Sequence, residues 1–334
     1  MYLVDNLENH DPTMNLALEE FLMRRFRGGE TLLLLYVNDP TVVIGRNQVP
    51  FAEVGLQEVR RRQTAVVRRI SGGGTVYHGP GNLNFGLIQA RRADPFPSPS
   101  QAVRPVLNAL QALGMPARPN DRHDILLEGR KITGTAQYRT QDRCLTHGTL
   151  LVSADLDALQ QLLTPDCQLL AFRGRSSLRS TVTNLARHRT GLTLEVVRDE
   201  LIRAFAADHG RAAPLALASA DWVTIRQAAR TKYRSWELNV GRSPEFTIRR
   251  CADLPWGPCE AVIQVQHGHM THVAMALPAD APPGVARWAV RLEGERYHPR
   301  IVAQSICAAG SDRDLPASRH ALAEWICPEW FWWN

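Results

Sequence analysis

Lysine is what this sequence nearly lacks. All but two of its 39 basic residues are arginine, and the exceptions are Lys131 and Lys232. A chain that writes arginine almost everywhere keeps lysine only where a compact ammonium is needed, so both are candidates for chemistry that a guanidinium cannot perform. Long hydrophobic runs are missing too. The longest, Leu32-Leu33-Leu34-Leu35, is strand-sized, against the roughly 20 residues of a membrane span. The first residues, Met1-Tyr2-Leu3-Val4-Asp5, lack the basic-then-apolar pattern of a secretory signal. The six cysteines (144, 167, 251, 259, 307 and 327) form no C-x-x-C pair and read as reduced thiols of a cytoplasmic protein. No G-x-S-x-G elbow supports a serine hydrolase, and no G-x-G-x-x-G follows the first strand to support a dinucleotide fold. The net charge of +6 is diffuse and no nucleic-acid module is recognisable, so neither nucleic acid nor membrane is an expected partner.

What is present centres on Arg68-Arg69-Ile70-Ser71-Gly72-Gly73-Gly74-Thr75-Val76-Tyr77-His78. Ala65-Val66-Val67 before it is apolar and β-branched, and Asn82 to Ile88 after it alternates polar with apolar, so both flanks are predicted strands. Three glycines remove every Cβ, which lets backbone N–H groups turn inward around an anion. Two arginines, the hydroxyls of Ser71 and Thr75, and His78 distinguish this loop from a plain connection. It is predicted to be an anion cradle.

Along the chain, Asp11-Pro12 fits a cap and first turn for a helix carrying Met14, Leu18, Phe21 and Leu22 on one face and ending near Gly28-Gly29. Strands are expected at 32–36 and 41–44, and helices over 51–62 and 101–113. Pro95-Phe96-Pro97-Ser98-Pro99 reads as a surface loop. Asp124-Ile125-Leu126-Leu127 and Ile132-Thr133-Gly134-Thr135-Ala136 flank Glu128-Gly129-Arg130, a hairpin turn that puts Lys131 at the start of the return strand. A strand at 149–152 and helices at 155–163 and 194–207 follow, separated by the basic loop 173–180. Composition shifts near 212–219, where a boundary is expected. Beyond it come strands at 237–240, 245–248, 261–265 and 270–276, then helices near 284–292 and 317–325. The histidines at 267, 269 and 272 straddle a glycine turn and favour a hairpin over a metal site. Trp325 with Trp330-Phe331-Trp332-Trp333 reads as the packing of a terminal helix or an adhesive tail.

The second informative stretch is Gly129-Arg130-Lys131-Ile132-Thr133-Gly134-Thr135-Ala136, where small residues would let a ligand approach the backbone beside a lysine. Together with the glycine stretch, His147-Gly148-Thr149-Leu150-Leu151 and Arg179-Ser180-x-Val182-x-Asn184-Leu185, it resembles the lipoate–protein ligase A family. Trp236-Glu237-x-Asn239-x-Gly241-x-x-Pro244-x-Phe246 is similar to the opening of that family's C-terminal domain, so the resemblance covers nearly the whole chain. It implies an α/β (α+β) fold: a biotin/lipoate-ligase-like catalytic domain with mixed sheets over 1–215, and a small α+β accessory domain over 220–334. It implies a monomeric, adenylate-forming ligase using ATP and Mg. Lipoate or octanoate would be activated, lipoate to lipoyl-AMP, and a lysine of a lipoyl carrier domain would then attack the adenylate.

The resemblance also implies site roles. Arg69, Gly74, Thr75, Val76, Tyr77, His78 and Asn82 fall on the nucleotide side, and Ser71, Gly72, Gly73, Gly134 and His147 on the lipoyl side. Lys131 belongs to both and is the catalytic residue. Asp124 is the magnesium candidate, with His123 standing where the family's pair has asparagine. The loop 173–180 is the candidate lid over an adenylate that water would destroy. Two alternatives remain open at this stage. One is an octanoyl or lipoyl transferase with a Cys167 thioester, and the other is a non-catalytic binder of lipoate or its adenylate.

Overall fold

The computed structural model describes residues 1–25, 31–90, 98–282, 284–308 and 316–328. The helix end expected at Gly28-Gly29, residues 95–97 of the expected surface loop and the aromatic cluster 330–333 lie outside the described residues. In chain order, β1 (Tyr2–Asn6) and α1 (Pro12–Arg25) precede β2 (Leu32–Tyr36) and β3 (Thr41–Ile44). Next come α2 (Leu56–Arg62), β4 (Ala65–Arg68), β5 (Val76–His78), β6 (Asn82–Ala90), α3 (Pro99–Ala102) and α4 (Arg104–Ala112). The middle of the chain forms β7 (Arg118–Pro119), β8 (Ile125–Leu127), β9 (Arg130–Arg139), β10 (Arg143–Leu151), α5 (Leu156–Leu162) and β11 (Gln168–Phe172). It continues through α6 (Leu194–His209), β12 (Ala213–Pro214) and α7 (Ser219–Ala228). Last are β13 (Phe246–Leu254), β14 (Gly257–Gln266), β15 (His269–Ala276), α8 (Val285–Leu292), α9 (Pro299–Cys307) and α10 (Pro316–Ile326).

These elements form two compact units: residues 1–45, 67–160 and 177–234 make the first, and 46–66, 161–176 and 235–334 the second. The division differs from a single cut near 212–219, for a physical reason. Residues 219–234 stay with the first unit because Lys232 and Tyr233 bond Glu20 of α1 and Arg234 bonds Asp11. Residues 161–176 join the second because β11 pairs with β13. A composition shift marks an exposed stretch of chain, not where contacts end.

The first unit is built on a mixed eight-stranded sheet in the order β12-β1-β2-β6-β10-β9-β8-β7. Its central strand β2 is buried along its whole length, which is why it reads as an unbroken leucine run. One face packs Leu33, Leu35, Leu83, Phe85, Leu87 and Leu150 against Val106 and Leu110 of α4 and Leu201 and Phe205 of α6. That is the core. The pairing register puts Tyr36, Asn84, Thr149 and Gly134 in one row across the opposite face, and Leu34, Gly86, His147 and Ala136 in the next. Most large side chains are thus on the core face, and glycine, alanine and hydrogen-bonding residues are on the other. A small sheet in the order β4-β3-β5 carries the strands that frame the glycine loop.

The second unit holds the antiparallel sheet β11-β13-β14-β15, with α8, α9 and α10. Phe51, Phe246 and Tyr297 meet in its core at ring distances of 5.1, 5.4 and 6.0 Å. Three expectations change here and in the first unit. The helix expected over 51–62 is interrupted, because the Asp166 carboxylate accepts the N–H groups of Leu56 and Gln57 and starts α2 there. The helix over 101–113 divides at Val103, with Pro105 opening the second segment. The strand expected at 237–240 is instead a helical turn, Glu237–Gly241, held by Ser235, whose hydroxyl accepts from the Leu238 N–H. Its polar-apolar alternation is too short to outweigh that local cap.

Candidate active site

The site face of the large sheet gathers the two sequence motifs. Lys131 reaches it through a β-bulge. Ile125 pairs with Thr133 and Leu126 with Lys131, so Ile132 is the extra residue, and the shift turns the Lys131 side chain to the face that carries Gly134. A Cβ on Gly134 would stand 2.9 Å from Lys131 Nζ, so the ammonium lies directly over that glycine. Its partner is Asp124, with Nζ 2.9 Å from Oδ1, and Asp124 is in turn bonded to Asn120. The Lys131 backbone is fixed on its far side by the Thr181 carbonyl and the Thr183 N–H. The hairpin before it turns through Glu128 and Gly129, both with positive φ, as a two-residue turn of the primed type requires.

The glycine loop lies over the same floor: a Cβ on Gly73 would approach the Ala136 methyl at 3.5 Å. Both arginine side chains turn inward. Arg68 is buried and donates to the Gly45 carbonyl. Arg69 donates to Ser71 Oγ (2.9 Å) and to the carbonyls of Val43 (3.1 Å), Gly72 (2.6 Å) and Gly74 (2.7 Å). Burial lowers its pKa to about 10, which leaves it a cation. The guanidinium therefore organises the loop from beneath. Gly73, at φ +89°, has the Arg69 Nη2 only 2.9 Å from where a Cβ would be. Gly73→Val is expected to weaken ligand binding at this loop more than tenfold while shifting the melting temperature by only a few degrees, and calorimetry on the variant measures both.

His78 and Asn82 are both buried. His78 is buried between Asn38 (Nδ1, 2.9 Å) and Thr149 (Nε2, 3.1 Å), in a chain running from Asn15 through Asn38, His78 and Thr149 to Asn84. Burial, with Arg69 and His147 nearby, lowers its pKa to about 3. The folded protein thus binds fewer protons than the unfolded chain between about pH 6.5 and 3, so stability falls as pH drops through that window, by up to about 1.4 kcal/mol per unit from this group. Urea unfolding of wild type and His78→Asn at pH 4 to 7 measures it: the slope is expected to be shallower in the variant. Asn82 is fully buried and donates to the Tyr77 carbonyl. Thr75 offers its N–H to Ser177 Oγ at 2.8 Å, which lays the end of the basic loop against the glycine run.

His147 and Ser71 come together at 2.6 Å between Nε2 and Oγ. Behind the ring stands Glu19 of α1, its carboxylate oxygens 3.0 and 2.9 Å from Nδ1. Glu19 was missed in the sequence, although an acid three residues from Leu16 and Leu22, on the apolar side of a helix, was its signal. The connectivity is that of a hydrolytic triad. Ser71, however, has no exposed surface, and its oxygen already accepts from Arg69. The array holds the loop in place.

Lys232 has no share in this site. Its ammonium is bound to Glu20, with Tyr233 donating to the same carboxylate. Cys167 belongs to the second unit, beside Arg250 at 3.7 Å, and burial pushes its thiol up to about 12. A thiol so far from ionising is a poor nucleophile. Among the described residues, no group of three or more histidine, cysteine or acidic side chains could hold a metal, and His272 pairs only with Glu293. Nor is any described helix long and apolar enough to cross a membrane.

Comparison with known proteins gives concordant results. Residues 11–206 match the model of the lipoyl protein ligase A/B catalytic domain. The chain is similar to lipoate-protein ligase LplJ of Bacillus subtilis (strain 168), with 36% identity over 271 residues, covering 80% of this chain and 82% of that protein. Its fold is similar to that of a lipoate-protein ligase A solved with ATP, at a TM-score of 0.61 and 28% identity over 72% of this chain and 98% of that one. It is similar, too, to the T. acidophilum protein Ta0514 solved with lipoic acid, at a TM-score of 0.61 and 27% identity over the same shares.

Proposed function

We propose that this chain, which belongs to the lipoate–protein ligase family, activates lipoate with ATP to lipoyl-AMP and passes the lipoyl group to a lysine of a lipoyl carrier domain. The observation that carries this reading is the placement of Lys131. A bulged strand holds one ammonium over Gly134, on a floor of small residues beside a preorganised glycine loop. In the first half-reaction a carboxylate oxygen of lipoate attacks the α-phosphorus and pyrophosphate leaves. In the second, the acceptor amine attacks the acyl carbonyl and AMP leaves. Negative charge builds on phosphoryl and carbonyl oxygens in both steps, and a fixed ammonium stabilises it without reorganisation.

Gly72, Gly73, Gly134 and His147 would line the acyl side, with the buried Ser71 bracing the loop behind them, and Gly74, Thr75, Val76 and Tyr77 the nucleotide side. Arg69 serves both by shaping the loop. The bond from Ser177 to Thr75 supports a covering role for residues 177–180 of the basic loop. Magnesium commonly binds through one or two carboxylates plus substrate phosphates. Asp124 fits as that single carboxylate, and the ion would screen the phosphate charge while Asp124 keeps its hold on Lys131. The second unit carries none of the acyl or phosphate motifs, so its part is conformational. Six cysteines without a disulfide support a reducing, cytoplasmic setting. ATP–pyrophosphate exchange that depends on lipoate tests the reading.

The Cys167 thioester alternative has nothing in its favour beyond position. Cys167→Ser is expected to leave ATP-dependent lipoylation within about threefold of wild type. Intact-mass analysis with an octanoyl thioester donor and no ATP is expected to show no adduct.

A further inference from the structure

Glu19 is a carboxylate with 1% exposure, set inside the first unit and used by none of the chemistry above. Its oxygen lies 3.3 Å from where a Cβ on Gly86 would be, so it sits on the site face of the sheet, one strand from His147. Its hydrogen bond goes to His147 Nδ1, while its field reaches Arg69 and Tyr36. A carboxylate facing Nδ1 fixes the proton on that nitrogen, because two acceptors cannot share a hydrogen bond without one. In the neutral ring Nε2 is then an acceptor, and the Ser71 hydroxyl supplies the hydrogen of its 2.6 Å contact. Ser71 Oγ in turn accepts from Arg69 Nε. The hydrogens thus run one way, from Arg69 to Ser71 to His147 to Glu19, and the loop that covers Ala136 is held at both ends of this chain.

We propose that Glu19 is a positioning residue of the acyl site: it sets the tautomer of His147 and so locks Ser71 and the glycine loop in the geometry that receives the acyl group. The inference rests on the reading of this face as the acyl site. Neighbouring residues explain why Glu19 is placed so firmly. Glu20 is clamped by Lys232, by the Tyr233 hydroxyl and by Arg24, and Asp11 at the helix start by Arg234, so α1 is held at two places by the 229–234 stretch. The second of the chain's two lysines therefore has a structural task one residue away from the acyl site.

Nitrogen spectra of the histidine rings and exchange kinetics test this together, the His147 signal being assigned by its loss in His147→Gln. Wild type is expected to show the proton on Nδ1 and a bare Nε2. In Glu19→Gln the amide oxygen still accepts from Nδ1, so the tautomer and the KM for lipoate should stay within about threefold of wild type. Glu19→Ala should disturb the tautomer and raise the KM for lipoate about tenfold or more, the scale of a lost charged hydrogen bond, while the KM for ATP stays within about twofold. A wild-type ring protonated on Nε2 overturns the proposal, and so does an alanine variant in which only one of the two readouts moves. If the alanine variant does not fold, the tautomer in wild type and Glu19→Gln decides. Wild type without lipoate-dependent exchange would instead fall on the function, which the ring spectrum does not depend on.

Discussion

Lys131→Met is expected to cut lipoate-dependent ATP–pyrophosphate exchange by about a hundredfold to a thousandfold, the usual effect of removing one preorganised charge. On the role proposed for Lys131, transfer from supplied lipoyl-AMP should slow by a similar factor, because the same ammonium would face the charge that develops in both half-reactions. Loss of the ammonium also leaves Asp124 without its cation, in a pocket where that side chain is 13% exposed. Some loss of stability should therefore accompany the loss of rate. Lys131→Arg should fare almost as badly. Only Nζ sits 2.9 Å from the position of a Gly134 Cβ, and a planar guanidinium needs more room than that. Single-turnover measurements on both variants, with lipoate and ATP and then with lipoyl-AMP, separate the two steps. An arginine variant of full activity would show that the scarcity of lysine has no bearing on the chemistry.

Gly134→Val should have the second largest effect. Its branched side chain would meet Lys131 Nζ at 2.9 Å and Cε at 3.1 Å, and lie 3.8 Å from Asp124 Oδ1. The lysine tail is flexible, so the protein can fold by moving it aside, and folding should cost little. What is lost is the position of the charge. Exchange should fall about a hundredfold, the scale of a small misplacement of a catalytic group, with the melting temperature within a few degrees of wild type. A valine variant that folds and exchanges at the wild-type rate would remove Gly134 from the site.

Much of this site was legible because its residues are local in sequence. The glycine run, the Gly129–Ala136 stretch and His147 each announce a strand or turn with unusual chemistry, and the sheet only had to bring them together. The hairpin before Lys131 followed from Glu128-Gly129-Arg130, whose glycine takes positive φ freely, whereas the positive φ of Glu128 is not written in its residue type. What was not legible depends on pairing. The bulge at Ile132 that aims Lys131 is fixed by register against β8, which no single-strand pattern reveals. Likewise the inward turn of Arg69 is fixed by the carbonyls of Val43, Gly72 and Gly74, which a run of sequence symbols cannot display. Glu19 joins the site from α1, 52 residues before the Ser71 it serves (71 − 19). The non-local cap from Asp166 that breaks the helix at 51–62, and the interleaving of the two units, belong to the same class.

Incubating a purified lipoyl carrier domain with the protein and lipoate, with and without ATP, and weighing the domain by intact-mass spectrometry tests the central claim most directly. The account predicts a single lipoyl increment on one lysine when ATP is present and none without it. An ATP-independent increment drawn from an acyl thioester, or no increment at all while the domain is modified by a known ligase, would contradict it.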